Sequence, residues 1–136
     1  MHRRKFLTSA AAMALAGPAI AATGIAYAPG LVNKMLAAGE TVFVDFYTDW
    51  CTTCRRQERV INALLAENPD YKANISFVSV DWDKFASSEL SVRLNIPRRS
   101  TLVVLRGDEE LGRIVAGTRE TEIKALLDTA LVSATA

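Results

Sequence analysis

The chain has 136 residues, half of them apolar and 23% charged, which suits one compact domain and excludes two packed ones. Residues 1–21 hold three of the 16 basic residues and none of the 15 acidic ones, so removing them leaves 13 against 15 and gives no support to a nucleic-acid partner. They also hold His2, the only histidine, so without them imidazole is excluded as base, nucleophile or metal ligand.

After Arg3, Arg4 and Lys5 no charged side chain occurs until Lys34. A basic start, an apolar stretch and small residues are the parts of an export signal, and residues 1–21 are assigned to one. His2-Arg3-Arg4-Lys5-Phe6-Leu7-Thr8 resembles the twin-arginine signal, and the Ala-rich stretch, broken by Gly17 and Pro18, is only weakly apolar, as that route prefers. Ala19 and Ala21 suit a cut after Ala21. The alternative is an uncleaved anchor, because the uncharged run is long enough to reach across a bilayer, although Gly17, Pro18, Gly24 and Pro29 weigh against it. Both readings place the domain in the periplasm. Residues 22–30 are read as a linker and 31–136 as the folded domain.

Leu31, Val32, Met35 and Leu36 predict a helix that Gly39 stops. Val42 to Tyr47 reads as a buried central strand with one acid, Asp45, inside it. From Cys51 to about Glu67 the pattern is helical, with Val60, Ile61, Leu64 and Leu65 as its apolar stripe and Asn68-Pro69 as its end. Ile75 to Asp81 is a second strand, and Ser87-Ser88-Glu89 opens a short helix through Leu94. Thr101 to Leu105 is a third strand, which Gly107-Asp108 turns into an antiparallel partner from Leu111 to Ala116. Thr118 caps a last helix with Ile123, Leu126, Leu127 and Ala130 on one face. The order β-α-β-α-β-β-α, after an N-terminal helix, predicts an α/β/α sandwich around a mixed sheet.

The chemistry-bearing segment is Trp50-Cys51-Thr52-Thr53-Cys54, where the buried strand hands over to a helix. Two cysteines in an exported chain suggest a structural disulfide, but a bridge across two residues closes so small a loop that it stabilises little. At the helix start Cys51 faces unpaired backbone N–H groups and the positive end of the helix dipole, which favour thiolate. Cys54, one turn on, can displace a partner held by Cys51 as a mixed disulfide. A zinc site needs four ligands, and two thiols without histidine do not supply them. No metal or other cofactor is expected.

With element order and motif together, residues 31–133 resemble the thioredoxin family. Val42-Phe43-Val44-Asp45-Phe46-Tyr47-Thr48-Asp49-Trp50-Cys51-Thr52-Thr53-Cys54 is most similar to the C-terminal, electron-delivering domain of periplasmic thiol:disulfide interchange proteins. The resemblance implies the thioredoxin fold, a redox-active disulfide between Cys51 and Cys54, and Asp45 as the group that moves the Cys54 proton. Burial in an apolar strand would raise that carboxyl toward neutrality. Ser79 stands where such proteins often carry a lysine beside the acid. The resemblance also implies that Trp50 shields the disulfide and that Gly117 lets a partner's backbone approach.

One departure affects the client groove. The family places a cis-proline before its Thr-apolar strand. Ungapped alignment puts Ser100 there, after Arg99 and before Thr101, while Pro97 falls three residues early; the alternative makes Pro97 the family proline followed by an insertion. Arg98 and Arg99 then add positive charge beside the thiols.

These features imply a monomeric reductase of exported disulfide-containing proteins, supplied by a membrane thiol electron donor of the DsbD/CcdA kind. An oxidase or isomerase, and a binding or assembly module without turnover, are the alternatives.

Overall fold

The computed structural model of the protein describes residues 20–21 and 24–136. Apart from Ile20 and Ala21, the segment assigned to export lies outside the described residues. Six strands, β1 (Ile20–Ala21), β2 (Gly24–Ala26), β3 (Thr41–Tyr47), β4 (Ser76–Asp81), β5 (Thr101–Arg106) and β6 (Glu109–Val115), form one sheet in the order β1-β2-β4-β3-β5-β6. β2, β4 and β3 run parallel, whereas β5 and β6 are antiparallel additions and β1 is antiparallel to β2. This is the predicted mixed sheet.

The residues of β3 explain why it is central. Val42, Val44 and Phe46 enter a core with Val32, Met35, Val78, Val80, Leu90, Val103 and Leu105. Phe43, on the other face, joins a second core with Ile61, Leu64, Tyr71, Phe77, Leu102, Ile123 and Leu127. An alternating strand that is apolar in both directions needs helices on both sides. Helices α1 (Leu31–Ala37), α4 (Trp82–Phe85) and α5 (Glu89–Arg93) serve the first core. Helices α2 (Thr52–Glu67), α3 (Pro69–Asn74) and α6 (Glu120–Ala134) serve the second.

Two local readings are corrected and one helix is added. The segment 22–30, read as a linker, contains β2, whose Ile25 pairs with Val78, and Tyr27 packs its ring edge-on against Phe85 at 5.0 Å. Three residues are too few to show a period, and only the neighbouring strand reveals them. Gly24 suits this edge because an added Cβ would fall 2.3 Å from the Phe77 carbonyl oxygen. Past the predicted end of α2, residues 69–74 form a further helix, since Asn68 ends α2 and its side chain accepts from the Asp70 N–H at 3.1 Å, with Pro69 in the first turn. The last helix begins at Glu120 behind Arg119, not behind a Thr118 cap. No described helix is long and apolar enough to cross a membrane.

Candidate active site

The C-terminal end of β3 and the start of α2 meet at Cys51, as open parallel sheets place their sites. Cys51 is the N-cap of α2, with extended backbone, and its sulfur accepts the Cys54 N–H at 3.1 Å. The predicted activation by a helix N-terminus is therefore a specific hydrogen bond. Both cysteines are buried and unbridged.

Ser100 faces them across the site. Its hydroxyl lies 3.1 Å from the Cys51 sulfur and 3.0 Å from the Cys54 sulfur. This is the position expected from ungapped alignment, while Pro97 is exposed. Peptide bonds among the described residues are trans, and Ser100 instead takes a left-handed backbone, φ 63°. That conformation is uncommon for a residue with a Cβ and has to be held in place.

Several contacts hold it. The Ser100 N–H donates to the Phe46 carbonyl at 2.7 Å, and its carbonyl accepts from the Ala116 N–H at 2.8 Å. Gln57, fully buried on α2, donates from Nε2 to the carbonyls of Ser100 at 3.0 Å and Gly117 at 2.9 Å. One amide thus ties the helix to both loops that flank the thiols. Its Oε1 has no hydrogen-bond partner among the described residues. Gln57 was missed in the sequence, although it carried a signal: Cys54, Gln57, Ile61 and Leu64 are the buried stripe of α2, and a glutamine in such a stripe must bond something. The predicted stripe members Val60 and Leu65 are only half-buried.

The other expected site residues divide into two groups. Trp50 is 57% exposed beside Cys51 and is held on two sides. Its indole N–H donates to Asp83 at 2.9 Å, and the Arg99 guanidinium stacks 4.2 Å from the ring centre. Thr101 is fully buried, and its hydroxyl donates to the Arg98 carbonyl at 2.7 Å, so it shapes the loop from beneath. Arg98 braces the same loop through its Nε, which donates to the Arg99 carbonyl at 3.0 Å. Gly117 is needed for space, since a Cβ there would meet Glu122 Oε2 at 2.7 Å and Ile114 at 2.9 Å.

Asp45 is buried on β3 directly across the ladder from Ser79. Alternation from Phe43 puts it on the face that α2 and α6 cover, at the strand end nearest Cys51. The structure therefore brings Asp45, Cys51, Cys54 and Ser100 to one end of the sheet.

The two thiols are pushed apart in acidity. Burial pushes Cys51 up, but hydrogen bonds from the Cys54 side chain, Ser100, the Cys54 N–H and Arg99 outweigh it and lower Cys51 from 9.0 to about 7. Burial raises Cys54, and its hydrogen bond to Cys51 raises it further. The thiolate is the reactive form. Iodoacetamide should therefore label Cys51 first, at a rate that rises with pH around a midpoint near 7, while Cys54 lags at every pH. Peptide mass mapping checks this, and a Cys51 midpoint near that of an ordinary thiol would contradict it.

The family model described as Thioredoxin matches residues 30–129. "Thioredoxin-2, mitochondrial" of Schizosaccharomyces pombe is 32% identical over 92 residues, which is 68% of this chain and 65% of that protein. "Thiol:disulfide interchange protein DsbD 2" of Pseudomonas aeruginosa is 32% identical over 100 residues, 65% of this chain but 16% of that protein. The match thus spans less than two thirds of either relative's length. Among solved structures, Trxlp from Edwardsiella tarda EIB202 superposes with a TM-score of 0.63 at 28% identity, covering 74% of this chain and 94% of that one.

Proposed function

The chain belongs to the thioredoxin family, and from that premise we propose that it is a thiol–disulfide oxidoreductase that reduces disulfides of exported proteins. One observation carries the direction. Stabilising the nucleophile's thiolate stabilises the reduced protein and makes its disulfide a stronger oxidant. The Cys51 sulfur is met by one backbone N–H and one hydroxyl, at 3.1 Å each, which lower its thiol to about 7, in the range of reducing members of this chemistry.

In the proposed cycle Cys51 attacks the client disulfide, Cys54 resolves the mixed disulfide, and Asp45 takes the Cys54 proton. Trp50, Arg99, Ser100, Thr101 and Gly117 shape the surface that meets the client. Export rests on the basic and Ala-rich leader at residues 1–21. Since cytosolic reductants do not cross the membrane, the electrons would come from a membrane thiol donor, and the similarity to part of an interchange protein supports that partner. The mature protein would act as a monomer.

Insulin reduction by the mature chain, with Cys51→Ser as control, tests the activity, and equilibration with a thiol buffer gives the potential. The expected value is about −270 mV, and one near −120 mV would make the protein an oxidant instead. Turnover no greater than the control's would leave a binding module.

A further inference from the structure

We propose that Ser100 is a catalytic residue whose single hydroxyl hydrogen serves the two sulfurs in turn, held against Cys51 before attack and turned to Cys54 for resolution. This rests on the dithiol chemistry proposed above and assigns a group to it that replaces the family's proline.

The geometry leaves the hydroxyl no other role. Ser100 is fully buried, and its backbone N–H and carbonyl are already bonded to Phe46, Ala116 and Gln57. Its Oγ has the two sulfurs as its hydrogen-bond partners, at 3.1 and 3.0 Å. A hydroxyl carries one hydrogen and two lone pairs. It cannot donate to both sulfurs at once, but it can donate to one and accept from the other. With Cys51 as thiolate and Cys54 as thiol, the hydroxyl and the Cys54 S–H both direct their hydrogens to Cys51, whose charge holds the two together.

The first step removes the charge that holds this arrangement. The Cys51 thiolate attacks one client sulfur, the Cys51–client bond forms, and the client S–S bond breaks. The second client sulfur leaves with the electron pair and takes a proton from water. Cys51 is now neutral, so the Ser100 hydrogen is free to rotate. As the Cys54 proton passes to Asp45, the hydroxyl turns and donates to the new thiolate. Cys54 then attacks the Cys51 sulfur, their disulfide forms, and the first client sulfur leaves with its electron pair and is protonated. The client gains two electrons and two protons; the thiolate–thiol pair loses two electrons and the single Cys54 proton, which Asp45 returns to the last leaving sulfur, and water supplies the other proton.

The backbone supports this assignment. At φ 63° a glycine would sit without strain, whereas serine is held there at a cost. Placing a hydroxyl between two sulfurs gives that cost a use. Gln57 is the positioning residue, because its amide fixes the Ser100 carbonyl and therefore the direction of Oγ.

The test compares wild type with Ser100→Gly, which removes both hydroxyl and strain, and Ser100→Ala, which removes the hydroxyl alone. Single-turnover reaction with 5,5′-dithiobis(2-nitrobenzoate) releases one chromophore as Cys51 attacks and a second as Cys54 resolves. A lost hydrogen bond to a charged sulfur is expected to slow each phase about tenfold in both variants. Ser100→Gly should nevertheless unfold at a denaturant concentration no lower than wild type, which a purely structural role for the side chain would not allow. If either phase in either variant stays within about twofold of wild type, or if Ser100→Gly is the less stable protein, the proposal is overturned. Failure of wild type to reduce insulin would sink the reductase reading instead, and the two-phase comparison would still decide the role of Ser100.

Discussion

Cys51→Ser is expected to bring insulin reduction by the protein down to the uncatalysed background, a loss of at least about a thousandfold. A serine hydroxyl keeps the shape and the hydrogen bond from the Cys54 N–H, yet at neutral pH it supplies almost no anion. The fold should be untouched, since the replacement is nearly isosteric at the N-cap of α2, where serine is a favoured residue. Cys54→Ala should have the complementary effect. Cys51 still attacks, but nothing displaces the client, so the protein accumulates as a covalent adduct that dithiothreitol releases. Non-reducing gels and intact mass of the variant exposed to a periplasmic extract would show the adduct and deliver the client for identification. An extract that yields none with Cys54→Ala, while wild type turns over insulin, would contradict the order of the two cysteines.

Gln57→Leu is expected to be the most damaging substitution outside the dithiol. Leucine fills a similar volume, but the Gly117 carbonyl loses its amide donor and the Ser100 carbonyl loses one of two. Unsatisfied buried acceptors of this kind cost about 2 kcal/mol in total, and the stripe position itself accepts an apolar side chain. The denaturant midpoint should fall with an unchanged slope. Both loops flanking the thiols should loosen together, and reduction should slow about tenfold because Ser100 is no longer aimed. Gln57→Glu separates packing from donation. It has the same shape and no N–H, and an ionised carboxylate buried at this point costs more than leucine at neutral pH. Below the carboxyl's raised pKa the side chain regains one donor hydrogen, so part of the stability should return on acidification. A Gln57→Leu protein as stable and as active as wild type would show that the amide is incidental.

Much of the domain was readable because its signals are local. Cys51 and Cys54 stand one helical turn apart, the strand before them is a run of six buried residues from Thr41 to Phe46, and the helix after them ends at an Asn-Pro pair. Asp45 stood out as an acid in that strand, and the resemblance put it beneath the thiols, but only the two cores show that it lies on the face that α2 and α6 cover. Alignment of the 94–102 segment without gaps placed Ser100 opposite the thiols, and there the structure has it. The misread segments lacked such signals: β2 is three residues long, and the cap of α6 makes no side-chain bond.

The sequence by itself determined the dithiol, its place at a helix start and the mixed sheet that carries it, because spacing, capping and periodicity act over a few residues. Only the tertiary structure decided what surrounds the sulfurs. Gln57 reaches across 43 residues to Ser100 and 60 to Gly117, the indole of Trp50 is bonded 33 residues away at Asp83, and no local pattern encodes such pairs. The two Gln57 bonds form because burying that face of α2 against the sheet takes the amide out of water with it. It then bonds to the carbonyls the fold has brought beside it.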